Sequence, residues 1–90
     1  MYAVPHTVTI TDRSAASAGL EQVVPQVSAL PGFVAGYWVE RSANQGLALI
    51  MFESKEAAQG FADFLKSVPD SPGVTMDRES IDVCEVFAHS

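Results

Sequence analysis

The stretch Leu47 to Glu53 is apolar on both faces of an extended chain: Leu47, Leu49 and Met51 alternate with Ala48, Ile50 and Phe52. A strand of that kind belongs inside a sheet whose two faces are both covered. In a chain of 90 residues that demand is severe. So short a chain buries only about 60–65% of the surface it exposes when unfolded, and its own core is thin. The length suits one compact domain spanning residues 1–90 and leaves no room for two ordinary ones.

The flanking patterns say what the cover is made of. Val4 to Thr11 alternates Val4, His6, Val8 and Ile10 with Pro5, Thr7, Thr9 and Thr11, which predicts a strand. Asp12 or Ser14 is placed to cap a helix over Ala15 to about Ala29. Leu20, Val23, Val24, Val27 and Leu30 recur at steps of three and four on its inner face. Pro25 falls inside that helix and predicts a kink or a break. Leu30-Pro31-Gly32 ends it.

A second strand, Phe33 to Arg41, puts Phe33, Ala35, Tyr37 and Val39 on one face and Val34, Gly36 and Trp38 on the other. Residues 42–46 form a hairpin loop with turn chemistry at Asn44 and Gly46. After the third strand, Ser54 caps a second helix whose stripe is Ala57, Ala58, Phe61, Phe64, Leu65 and Val68. Pro69 ends it, and residues 69–73 form a loop. Val74 to Met76 reads as a short extended piece. The last strand is Ile81 to Ala88, with Ile81, Val83, Glu85 and Phe87 on one face.

The order is β-α-β-β-α-β. With right-handed crossovers it gives a ferredoxin-like α+β fold: a four-stranded antiparallel sheet with two helices on one face, strands one and three central. Two helices shield one face only. The other would present Leu, Met and aromatic side chains to water, more than a soluble monomer usually shows. A homodimer packed sheet to sheet is the expected remedy.

Eleven acidic residues against five Lys and Arg give a net charge of −6, which disfavours phosphate backbones and anionic membranes alike. Nucleic acid and membranes are therefore not expected partners. No apolar run approaches the ~18–20 residues of a membrane span. The N-terminal residues lack the pattern of a signal peptide, and the single cysteine, Cys84, has no partner for an internal disulfide. A cytoplasmic location is expected.

The run Leu30-Pro31-Gly32-Phe33-Val34-Ala35-Gly36-Tyr37-Trp38 resembles the helix-to-strand junction of the dimeric α/β-barrel domains, closest to the antibiotic-biosynthesis-monooxygenase-like (ABM-like) proteins. Leu49 to Ala57 resembles that family's third strand entering its second helix. The resemblance implies a pocket between helices and sheet in each protomer. Haem-degrading members carry a tryptophan just before the Glu-Ser that opens the second helix, and a histidine on that helix. Here Phe52 stands at the first position and the second helix has no histidine, so haem degradation is disfavoured. No cofactor is expected. The remaining implication is cofactor-independent monooxygenation of an aromatic or polyketide-like compound, with non-catalytic ligand binding or assembly as the alternative.

Polar and aromatic candidates for such a pocket are Trp38, Tyr37, His6, Asn44 and Asp12, together with the apolar Phe52. Trp38 beside Gly36 can floor a pocket or simply pack. Tyr37 points the other way and joins it only if a bulge intervenes. His6 and His89 are brought near each other by the topology. A two-histidine metal site would lack a third ligand, and histidines so near the chain ends are expected to be exposed. Cys84 reads as a buried inert thiol, and Glu85 as an edge charge or, alternatively, a base with a raised pKa. Against a binding pocket stands the possibility that Ile50, Phe52, Phe61, Phe64 and Leu65 fill the space.

Overall fold

The computed structural model describes every residue except Ala43, His89 and Ser90. Strand β1 (Tyr2–Ile10) leads to helix α1 (Arg13–Ser28), and the hairpin β2 (Phe33–Ser42) and β3 (Gln45–Phe52) leads to helix α2 (Lys55–Ser67). Two short strands follow, β4 (Val74–Asp77) and β5 (Cys84–Glu85). All pairings are antiparallel and the sheet order is β2-β3-β1-β4, with β5 also on β1. The expected central places of the first and third strands are thus observed, in an α+β fold with two helices and an antiparallel sheet.

The last strand differs from expectation. In place of one run over residues 81–88, β4 pairs with Thr7–Ile10 and β5 with Tyr2–Ala3. Between them Arg78–Ser80 forms a 3₁₀ turn in which the Asp77 carboxylate accepts from the Glu79 N–H (3.2 Å). Ser80 makes the interruption tolerable. Its hydroxyl accepts from the Thr7 N–H (2.9 Å), standing in for a ladder carbonyl, and donates to the Asp77 carbonyl (2.6 Å). Beyond β5, Phe87 is fully exposed.

Both helices start as the sequence predicts. Asp12 accepts from the Ala15 N–H (3.1 Å) and Ser54 from the Ala57 N–H (3.2 Å), each satisfying an amide of the first turn. Of the kink or break expected at Pro25, the break is absent: α1 runs from Arg13 to Ser28 as one helix. Glu21, whose carbonyl loses its donor there, is exposed, and water can take the donor's place. Of its expected stripe only Val27 is buried, Val23 is partly so, and Leu20, Val24 and Leu30 are exposed.

Residues paired across strands share a face. Val4, His6, Ala48, Ile50, Phe52 and Trp38 therefore face the helices, and Ala35, Tyr37, Val39, Leu47, Leu49 and Met51 face away. The core gathers where α2 crosses the sheet. Phe52, Ile50 and Val4 are its largest fully buried side chains. Phe52 lies 5.3 Å from Phe61 and meets Phe33 edge-on at 6.3 Å between ring centres. The far face has no cover, and Tyr37 and Val39 are 56% and 50% exposed there.

Gly73 ties the β4 loop to the start of α1. Its carbonyl accepts from Thr11 (2.8 Å) and Asp12 (3.2 Å), its φ is +84°, and an added Cβ would sit 2.5 Å from the Asp12 carbonyl oxygen. Gly60, inside α2, has open space at the same position. Gly73→Ala is expected to lower the unfolding free energy by at least about 1–2 kcal/mol from the left-handed backbone alone. Gly60→Ala should raise it by about 0.5–1 kcal/mol. Urea denaturation of the two variants checks both signs.

Candidate functional site

Side-chain size along one row of the sheet decides where the core stops. The helix-facing positions of β3 run Gly46, Ala48, Ile50, Phe52, from nothing to large. At the Phe52 end the space beneath the helices is full. At the Gly46 end it is not, and Ala16 and Gly19 of α1, which line the open space, are equally small. The result is a cavity of about 820 Å³ between helices and sheet. The exposure of Leu20, Leu30 and Phe64 has the same cause, since all three border the cavity. Ile50, Phe52, Phe61, Phe64 and Leu65, expected as possible fillers, form its wall instead.

Of the sequence candidates, His6, Trp38 and Phe52 line this cavity. Tyr37 does not: its partner in the ladder is Leu49, on the uncovered face. The bulge of β2 falls between Phe33 and Ala35, ahead of both aromatics, so it leaves Tyr37 and Trp38 on opposite sides. Asp12 is spent on its cap, and the Asn44 carbonyl accepts from Ile10 (2.7 Å) in the hairpin turn. Trp38 lies over Gly36. A Cβ at Gly36 would come 2.9 Å from the indole Cη2, so the absence of a side chain there lets the ring fold down.

His6 overturns the expectation of an exposed imidazole. It is 6% exposed, because β1 is central and its even-numbered residues face α2. The ring lies 6.5 Å from that of Phe61. Nδ1 is 3.3 Å from the Val4 carbonyl oxygen, which can only accept, so Nδ1 carries the proton and donates. Nε2 is then a bare lone pair in the neutral ring. It has no partner among the described residues, none of which holds a fully buried side-chain nitrogen or oxygen without a hydrogen bond. Nε2 therefore borders the cavity. Burial favours the uncharged ring and holds the pKa below its ordinary 6.5, against a smaller opposite pull from the Val4 carbonyl.

The mouth carries residues that no sequence spacing announces. Arg13, at the start of α1, is paired with Glu40 of β2, 27 residues away, and this pair and Asp70 line the cavity at its Gly46 end, while Glu56 lines it at the start of α2. Arg13 holds the Glu40 carboxyl below the usual carboxylate range. Asp70 is paired in turn with Arg78 (3.1 Å). Val8, Ile10 and Met76 also line the cavity. The first two were legible as the continuation of the His6 face.

The other candidates lie elsewhere. Cys84 is half-buried on the uncovered face opposite Ala3. Desolvation raises its thiol pKa, as does the nearby Asp82 carboxylate. Glu85 is exposed and accepts from the Tyr2 hydroxyl (3.3 Å). The pairing of His6 with His89 lies outside the described residues. Among the described residues no cluster of three or more His, Cys, Asp or Glu is placed to hold a metal ion. No helix among them is long and apolar enough to cross a membrane.

This arrangement of two helices on one face of an antiparallel sheet is a ferredoxin-like α+β fold. Among solved structures the chain is similar to the haem-degrader MhuD of Mycobacterium tuberculosis, seen with two haems bound in its active site. The TM-score is 0.57 at 15% identity, over 98% of each chain. No family model and no curated protein matches. The shared property is the fold. α2 brings no axial haem ligand to the cavity; of the residue types that can ligate haem iron, His6 of β1 and Met76 of β4 line it.

The buried imidazole makes stability depend on pH with a definite sign. Its folded pKa is depressed, so the unfolded chain takes up the proton first. The stabilisation is complete above 6.5 and is lost as the pH falls through the folded value. Denaturation midpoints of the wild type are expected to drop between pH 7.5 and 5 more steeply than those of His6→Phe. Equal slopes would show that the ring charges freely in the folded state.

Proposed function

We propose that residues 1–90 form an ABM-like domain that binds an apolar, aromatic small molecule in the cavity between its helices and sheet, and that it works as a homodimer joined through the uncovered sheet face. The observation carrying the first part is the cavity itself. Its volume of about 820 Å³ lies within the range of ligand sites, and its apolar wall holds few polar groups. His6 and Trp38, which flank Ala48 from the two strands on either side of β3 and face the helices, offer a bound ring an acceptor and a flat aromatic surface. An assembly module without a ligand would have no use for this space. The resemblance further implies oxygenation of the bound compound without a cofactor, for which the neutral His6 ring is the available proton acceptor. A cytoplasmic setting belongs to the same reading.

The dimer rests on the far face. Pro5, Tyr37, Val39, Leu47, Leu49 and Met51 form an apolar surface that the helices of the same chain cannot reach. A stable interface needs roughly 800 Å² from each partner, about what the face of such a sheet supplies.

Each part has its own measurement. Leu20→Trp, which projects bulk into the cavity from α1, is expected to weaken binding of the apolar dye 1-anilinonaphthalene at least tenfold while the circular dichroism of the fold is retained; wild-type affinity in this variant would place the dye elsewhere. Added haem is expected to give no saturable Soret shift. Light scattering should return twice the chain mass for the wild type and the single mass for Leu49→Lys, and a wild-type monomer at micromolar concentration would remove the dimer from the proposal.

A further inference from the structure

We propose that His6 sets the ligand preference of the cavity: Nε2 accepts a hydrogen bond from a hydroxyl or N–H of an uncharged apolar ligand, and the cavity rejects ligands that carry a carboxylate. The inference rests on the ligand-binding reading above and adds which chemistry that ligand presents.

The argument starts from the acceptor. His6 is more than nine-tenths buried, its Nδ1 is committed to the Val4 carbonyl, and its Nε2 borders the cavity without a donor among the described residues. A polar atom left in that state costs free energy that one correctly placed donor recovers. None of the polar side chains that line the cavity bonds Nε2: Arg13 is engaged by Glu40, and Ser17, Gln26, Glu56, Asp70 and Ser71 make no hydrogen bond to the ring. Its donor is therefore water in the open cavity or a group of the ligand that displaces that water. The ring of Phe61 lies 6.5 Å from the imidazole, and the indole of Trp38 lines the same cavity across Ala48, which favours a donor attached to an aromatic or polycyclic body.

The same atoms work against an anion. A carboxylate brings no hydrogen to Nε2 and would face a lone pair. Protonating the ring to receive it is opposed by the burial of His6. At the mouth, Arg13 is matched by Glu40 and Asp70 by Arg78. An entering carboxylate therefore finds both of these cations engaged by a carboxylate it would have to displace. The net charge of −6 acts in the same direction at longer range.

Three probes with one ring system separate these statements in calorimetric titrations of the full chain at pH 7.5: 1-naphthol, 1-methoxynaphthalene and 1-naphthoate. Naphthol is expected to bind about tenfold tighter than its methyl ether, the usual worth of one net hydrogen bond, and naphthoate to show no saturation. In His6→Phe the two neutral probes should bind equally, with methoxynaphthalene near its wild-type affinity. His6→Gln, whose side-chain carbonyl also accepts, should restore part of the preference and serves as the variant if His6→Phe does not fold. Equal affinity for naphthol and its ether in the wild type overturns the role of His6. Naphthoate binding as tightly as naphthol overturns the exclusion of carboxylates. Absence of binding by both neutral probes overturns the ligand-binding reading itself, and this proposal with it.

Discussion

A gradient of side-chain volume along β3 governs the molecule. From Phe52 and Ile50 the helix-facing row falls to Ala48 and then Gly46. Close packing is the normal condition of a protein interior. Here it holds at one end only, where Phe52, Phe61 and Phe33 interlock. At the other end no side chain is long enough to reach across, and α1 lies over open space with most of its apolar residues incompletely covered. The chain thus divides its sheet between a core that holds the fold and a cavity that the fold merely encloses.

The position of His6 has meaning only against that division. One step along β1, Val4 is fully buried opposite Ile50. His6 sits opposite Ala48, where the row thins and the cavity begins. Moved two residues toward Val4, an imidazole would have to replace core packing and leave Nε2 without access to any partner. Moved two residues toward Val8, it would stand at Gly46, nearer the Arg13–Glu40 pair. Where it is, the ring is anchored through Nδ1, screened from bulk water and still open on one nitrogen. A low local dielectric strengthens whatever hydrogen bond that nitrogen makes and penalises its charge, so the same surroundings select both the neutral ring and its role as an acceptor.

Much of this was legible beforehand. The order of elements, the caps at Asp12 and Ser54, the central placing of β1 and β3, and the opposed directions of Tyr37 and Trp38 all follow from alternation, helical spacing and turn chemistry. What could not be read is whatever depends on distance across the fold. Ser80 reaching the Thr7 amide splits the last strand, yet nothing in the order Asp77 to Ser80 distinguishes a turn there from the approach to a longer strand. Arg13 finds Glu40 because α1 lies along β2. His6 was misjudged for an instructive reason. Nearness to a chain end argues for exposure, but membership of the alternating set Val4, His6, Val8 on a central strand argues for burial, and strand position prevails because pairing of His6 with Ala48 of β3, and of its flanking residues with β4 and β5, fixes where the side chain points.

Stability and function are coupled through the half of the molecule left unfilled. A 90-residue chain has little apolar burial in excess of its conformational entropy, and this one leaves part of one sheet face lining a cavity and the other face bare. A ligand that binds only the folded state contributes RT ln(1 + [L]/Kd), about 2.7 kcal/mol at a hundredfold excess over Kd, a large increment for a domain so small. It would act chiefly at α1, a 16-residue helix with Val27 as its one buried residue. Occupancy of the cavity and order in α1 are thus two aspects of one equilibrium, and a variant that fills the Gly46 end with its own side chains would gain in stability what it loses in capacity to bind.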